Sequence, residues 1–322
     1  PLYRQEKEWE ALGLRLSRAT MSNWLLVVYR DWLVHIVHRL KLELLKQRYL
    51  HIDETHVQVL KEPGRKNTSD SYMWVYCSIR DAVNPIRYFE YQPGRSGKYP
   101  EAFLREYEGY IHTDAYSGYN AVSGVKRCLC YTHLRRAFVD ALPKDIHNSE
   151  ASKPAEAILR LNQLFNIESE LEALPPDQKK KERLIREKPL LEAFWSWAEK
   201  SAIGELPKSK LSKAFHYALN NREGFWNYLE DGNCSISNSL AENCIRPFVI
   251  GRKNWLFSGS PKGAEASAGI YTLVETAKAN GLAPMKYIKY ILSDMPGSAF
   301  LEHPEYLDDY LPWNPLVKEF CR

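Results

Sequence analysis

Three runs rich in β-branched and aromatic residues follow one another, from Tyr49 to Leu60, Tyr72 to Arg80 and Ile86 to Gln92, with turn-forming Pro63-Gly64 and Asn84-Pro85 between them. Such side chains suit a pleated, half-buried surface and Gly or Pro ends a strand, so the spacing predicts three consecutive strands in an antiparallel meander. This pattern restricts the fold more than any other in the chain, because a meander must bury a face and the remaining segments must cover it.

The next segments alternate. Lys98 to Tyr107 has helical character stopped at Gly109, and Tyr110 to Thr113 is a short apolar strand ending at Asp114. A further strand around Arg127 to Cys130 runs into a helix carrying His133, Arg135 and Arg136. Three strands, then alternating helices and strands, is the order of a ribonuclease H-like α/β core, a mixed five-stranded sheet flanked by helices.

The expected divisions follow from this order. Residues 1–48 are helical, turning at Gly13 with Ser17 as a cap, an outline shared by helix-turn-helix modules and ordinary helical hairpins. Residues 49–149 form the first part of the core, and 150–232, rich in Leu, Glu, Lys and Trp and broken at Pro175-Pro176, form an all-helical insertion. Residues 233–262 return to the core with its final catalytic helix. Residues 263–322 form a C-terminal helical element, one helix stopped at Gly281 and another beginning at Pro284.

The chain of 322 residues carries a formal charge of only +4, yet its cations crowd into runs such as Arg135-Arg136, Lys179-Lys-Lys-Glu-Arg183 and Arg252-Lys253. Clustering of this kind favours a polyanionic partner. Six cysteines without a dense regular framework point to a reducing compartment. The most apolar stretch, Trp24 to Val37, is interrupted by Arg30 and Asp31 and is too short for a membrane span, so no membrane partner is expected. The first residue is Pro1, so a segment upstream of it is expected in the natural protein.

Three acids stand where acids are unexpected: Asp53 within a strand, Asp114 at a strand end before Ser-Gly-Tyr-Asn, and Glu242 near a helix start. An ionised carboxylate in a covered sheet is costly unless it is paired or coordinates a metal. Each acid has an ordinary alternative: a salt bridge for Asp53, an Asx-turn or helix cap for Asp114, and a capping box Ser239-Leu-Ala-Glu242. Glu54 points to the other side of its strand and falls outside this group. Together two aspartates and a glutamate can hold two Mg2+ or Mn2+ ions about 3.5–4 Å apart against a phosphodiester.

The words around these acids are more specific. His51-Ile-Asp-Glu-Thr55, Thr113-Asp-Ala-Tyr-Ser-Gly-Tyr-Asn120, Cys130-Tyr-Thr-His-Leu-Arg-Arg136 and Ala241-Glu-Asn-Cys-Ile-Arg-Pro-Phe-Val-Ile-Gly-Arg-Lys-Asn-Trp-Leu-Phe257 are similar to the catalytic part of insertion sequence 66 family transposases. Val274 to Pro284 and Leu311-Pro-Trp-Asn314 resemble the family's C-terminal element. The resemblance implies a DDE transposase of ribonuclease H-like fold with Asp53, Asp114 and Glu242 as the metal-binding triad. It also implies a partner in DNA, both element terminal inverted repeats and target, a homo-oligomer on that DNA, accessory transposition proteins, and a bacterial cytoplasmic, nucleoid-associated setting. Leu240 stands where the family usually has arginine, and Tyr131-Thr-His-Leu134 where it has Trp-Ala-His-Ala; both changes spare the triad. The family's upstream zinc-finger-like region is absent from these residues.

The same resemblance makes His133, Arg135, Arg136, Arg246, Arg252, Lys253 and Trp255 the candidates for DNA contact. Tyr116 and Tyr119 are candidates for base stacking or for packing within their turn, and Trp255 for DNA or core. Cys128, Cys130 and His133 offer three soft ligands within six positions, but no fourth stands out, which favours buried strand cysteines over zinc. A ribonuclease H-like nuclease without strand transfer, and a remnant that binds DNA without cutting, are the rival readings.

Overall fold

In the computed structural model, which describes residues 1–143 and 152–322, the three β-rich runs form the expected antiparallel meander. Its strands are β1 (Tyr49–Val59), β2 (Asp70–Ser78) and β3 (Arg87–Gln92), with Asp53 opposite Val75 and Val75 opposite Phe89. The chain divides into two units, Pro1–Leu104 with Leu240–Arg322, and Arg105–Ser239.

In the first unit, α1 (Leu2–Ala11) turns at Gly13, whose φ of 85° suits glycine, into α2 (Arg18–Val28). Ser17 caps α2 by accepting from the Thr20 N–H at 3.1 Å, as its sequence position predicts. A π-helical turn at Tyr29–Leu33 carries α2 directly into α3 (Val34–Leu45). After β3 comes the short α4 (Lys98–Phe103), whose Phe103 stacks on Tyr76 with ring centroids 3.6 Å apart.

The unit resumes with α10 (Ser239–Trp255), the two-residue β6 (Phe257–Ser258), α11 (Pro261–Ala279), α12 (Pro284–Asp294) and α13 (Pro315–Cys321). Val57, Val59, Met73, Val75, Cys77 and Phe89 make one face of the meander, and Ala241, Ile245 and Phe248 of α10 with Ala264 and Ala268 of α11 close over it. Strand β6 pairs in parallel with the end of β1 at Gln58 and Val59, a pairing too short to leave a periodic sequence signal.

Helix α11 also covers the β3 edge. Thr272 Oγ1 accepts from the Phe89 N–H at 2.8 Å and Thr276 Oγ1 from the Arg87 N–H at 3.1 Å. Four helical residues rise about 6 Å and two strand residues span nearly the same length, so threonines at i and i+4 match alternate edge donors. Donors that would otherwise template another strand are satisfied in this way.

The second unit holds the parallel pair β4 (Gly109–Thr113) and β5 (Val125–Leu129), then α5 (Tyr131–Asp140). Helices α6 (Lys153–Glu170), α7 (Pro176–Ala202), α8 (Lys210–Asn220) and α9 (Arg222–Trp226) follow, matching the expected helical segment and its break at Pro175-Pro176. Phe138 meets Phe194 and Phe215 edge-on in its core.

The basic run Lys179 to Arg183 on α7 is not the open cationic surface that its sequence suggests. Arg183 is fully buried, donating to both Glu168 oxygens and to the carbonyls of Tyr228, Asp231 and Cys234. Lys179 also pairs with Glu168, at 3.5 Å. A buried guanidinium needs this full set of acceptors, since an uncompensated buried charge costs about 3–5 kcal/mol.

Candidate metal-binding and nucleic-acid site

Strand β1 sets the direction of Asp53. Alternation places it on the face of Val57 and Val59, the face that α10 covers, while Glu54 turns to the opposite side. There Glu54 is nearly inaccessible and bridged to Arg95 at 2.6 Å, which accounts for the second acid of the pair structurally. Asp53 is half-buried, and its Oδ1 accepts from the Glu54 N–H at 2.9 Å.

Glu242 comes from α10, the helix that covers this face. It lies in the first turn of α10, where a carboxylate is favoured by the helix dipole, and the flanking Ala241 and Ile245 are packed on the sheet. Helix α10 starts at Ser239, so Glu242 belongs to the helix body's opening turn. Two residues on, Cys244 meets Cys77 of β2; burial first and Cys244 second push the Cys77 thiol up, and Asp53 adds to the shift. Asp53 thus borders a sulfur pair that α10 shares with the sheet.

Asp114 belongs to the second unit, immediately after β4. Its Oδ1 accepts from the Tyr116 N–H at 2.9 Å, the Asx-type turn that the sequence allowed. The chain then makes a 3-10 turn over Ser117–Ala121. Tyr119 is buried and meets Tyr116 edge-on at 6.0 Å, so both tyrosines pack within the turn. Tyr217 lies close by, its phenol pushed up by burial first and by the Asp114 charge second.

One residue of this loop escaped sequence reading. Arg127, on β5, donates from Nε to Thr113 Oγ1 at 2.7 Å and from Nη1 to Asn120 Oδ1 at 2.6 Å. Its Nη2 donates to the carbonyls of Asp114 at 2.6 Å and Tyr116 at 2.8 Å, and the guanidinium lies over the Tyr119 ring. The available signal was a cation in the middle of a short strand that follows one ending in an acid. The parallel register itself is not written in local sequence.

The DNA-contact candidates differ in exposure and in what they hold. On α5, Arg136 is exposed, His133 is half-buried, and Arg135 donates to Asn162 of α6 at 2.7 Å. On α10, Arg246 and Lys253 are exposed, whereas Arg252 reaches back to β1, donating to Thr55 Oγ1 at 3.1 Å and to the His56 carbonyl. Burial lowers the Arg252 pKa. Trp255 packs edge-on against Phe248 with centroids 5.2 Å apart, on the core. His56, Gln58, Arg252 and Lys253 line an open depression of about 470 Å³ at the end of β1.

Asp53, Asp114 and Glu242 supply hard carboxylate oxygens of the type Mg2+ and Mn2+ take, and each is half-buried. The donor set therefore suits these ions. No helix among the described residues is long and apolar enough to cross a membrane.

Comparison with known proteins adds an independent finding. Residues 1–266 match the family described as Transposase IS66 family. The uncharacterized protein y4qI of Sinorhizobium fredii is 28% identical, over 98% of this chain and 59% of its own length. The uncharacterized proteins y4hP and y4jD of the same organism are 27% and 26% identical, over 97% and 98% of this chain and 59% and 62% of their own lengths. The chain thus spans about three fifths of the length of the curated relatives it matches. No solved structure matches.

Proposed function

The chain belongs to the IS66 family of transposases, and from that premise we propose that it carries the DNA-cutting and strand-joining part of a DDE transposase built on a ribonuclease H-like core. What supports this reading is the family match, which includes all three acids, with Asp53 on the sheet face that α10 covers and Glu242 in that helix's first turn. The antiparallel meander, the parallel β4–β5 pair and the helical segment before α10 are the parts such a core requires.

Asp53, Asp114 and Glu242 would hold two Mg2+ or Mn2+ ions, which when bound supply activation of the attacking oxygen and stabilisation of charge on the phosphate. The chain's own residues fix the ligands and the DNA. Arg127 holds the Asp114 turn by its backbone, and the packing of α10 orients Glu242. Exposed Arg136, Arg246 and Lys253 give phosphate contacts beside these acids in sequence, while Arg135, Arg252 and Trp255 act by holding their helices. In-line displacement on a phosphodiester needs little more than such positioning, with no covalent protein–DNA intermediate. Pairing two element ends calls for at least two copies on the DNA.

The test is incubation of the protein with labelled element-end DNA and Mg2+ or Mn2+, beside Asp53→Asn, Asp114→Asn and Glu242→Gln. Metal-dependent nicking followed by joining of the 3′-hydroxyl to target DNA, lost by a factor of at least about 10² in each variant, is expected. Nicking without joining would reduce the reading to a nuclease. DNA binding without nicking would make the chain a non-cutting remnant.

A further inference from the structure

A second cluster of metal-type donors lies in the second unit, and it is soft where the triad is hard. His112 of β4 and Cys128 of β5 are register partners in the parallel pair, so their side chains leave the sheet side by side. Cys234, from the segment that follows α9, completes the group: one ligand atom from each of the three residues lies within 4.8 Å of the others. Each residue is only 1% exposed.

We propose that His112, Cys128 and Cys234 bind a borderline-soft transition ion, Zn2+ in the first place. Donors held about 2.0–2.3 Å from a common tetrahedral centre stand about 3.3–3.8 Å apart, so the three need draw together by no more than about 1.5 Å. Two thiols and one imidazole are the donor set that selects zinc over magnesium or manganese. The two thiols release their protons on binding, and one water completes the tetrahedron.

The surroundings hold the donors in place. The Ser235 N–H donates to His112 Nε2 at 2.9 Å, which fixes the ring orientation. The Cys234 carbonyl accepts from buried Arg183 at 2.8 Å, and its N–H donates to the Asp231 carbonyl at 3.1 Å. The Ile236 carbonyl accepts from the Tyr131 N–H at 3.0 Å, tying the same segment to α5. Cys130, which the sequence grouped with Cys128, instead accepts from the Asn238 N–H at 3.1 Å. The ion would rivet β4, β5 and the 231–236 segment together, two residues before Asp114.

The test uses the whole protein, reduced with a phosphine and stripped with a chelator, then titrated with Co2+. One equivalent should produce thiolate-to-cobalt charge-transfer absorption and the visible bands of a tetrahedral site, bleached when Zn2+ is added. Cys128→Ser and Cys234→Ser should each weaken binding at least about 10-fold, while Cys77→Ser, which breaks the other close thiol pair, should leave the spectrum unchanged. Absence of thiolate charge transfer, its survival in the Cys128→Ser and Cys234→Ser variants, or its loss in Cys77→Ser would overturn the proposal. Should the serine variants fail to fold, zinc-edge X-ray absorption of the unaltered protein decides: a first shell with two sulfurs supports the site, and one of oxygen and nitrogen alone refutes it.

Discussion

Arg127 and Asp114 are joined through the backbone: the Arg127 Nη2 donates at 2.6 Å to the Asp114 carbonyl, leaving the carboxylate to be aimed by the turn. The same guanidinium also binds Thr113, Tyr116 and Asn120, a planar fork that a lysine ammonium has too few fixed donors to reproduce. Replacing Arg127 by Ala or Lys is expected to lower nicking by about 10²-fold through misplacement of Asp114, with a stability loss of about 1–3 kcal/mol. DNA binding measured by gel shift should change little. A nicking rate in Arg127→Lys within twofold of the unaltered protein would show that the loop needs no such clamp.

Neighbouring cations on α10 should behave differently from each other. Lys253 is exposed, so Lys253→Ala is expected to weaken DNA binding and to make its dependence on log salt shallower by about one unit, with thermal stability unchanged. Arg252 grips Thr55 and His56 of β1, so Arg252→Ala should also lower the melting temperature. Paired salt titrations and melting curves separate the two roles.

Glu187 sets a pH dependence of stability. It is fully buried and bonded by the Tyr228 hydroxyl at 2.6 Å; burial, then the Glu168 carboxylate, push it up to about 8. The folded chain therefore keeps a proton that the unfolded chain releases near the ordinary carboxyl value of about 4.3, so the contribution is full below that value and is lost as pH rises towards 8. The loss approaches about 1.4 kcal/mol per pH unit inside that window. Glu187→Gln should flatten urea midpoints measured between pH 5 and pH 8; an unchanged slope would remove Glu187 as its source.

At Gly232 the limit is space. A Cβ there would overlap the Pro176 carbonyl, and backbone cannot step aside as a flexible side chain would. Gly232→Ala is expected to cost about 1–3 kcal/mol by denaturant unfolding. If the Cys234 segment binds zinc, it should also weaken Co2+ binding, because Gly232 leads into that segment.

Much of this chain was legible one segment at a time. The β-branched runs, the stops at Gly109 and Gly281, the Ser17 cap and the Pro175-Pro176 break are local signals, and each marks a structural element at or within a few residues of where it was read. Strand alternation likewise separated Asp53 from Glu54, and Glu54 does bridge Arg95 on the other face. The family, too, was written in contiguous words, and the four from His51 to Phe257 lie within the matched residues.

Tertiary structure decided what each polar side chain spends its charge on. Nothing in Lys179 to Arg183 says that Arg183 will be buried among carbonyls, nor in Arg252-Lys253 that one cation is tied to β1 and its neighbour exposed. Cys128 was read with its sequence neighbours Cys130 and His133, but the parallel register sets it beside His112 and the chain returns Cys234 to it from more than a hundred residues away. Periodicity and turn chemistry act over a few residues and so can be read from the sequence. Partner choice depends on which distant segments pack together, and only the folded chain fixes that.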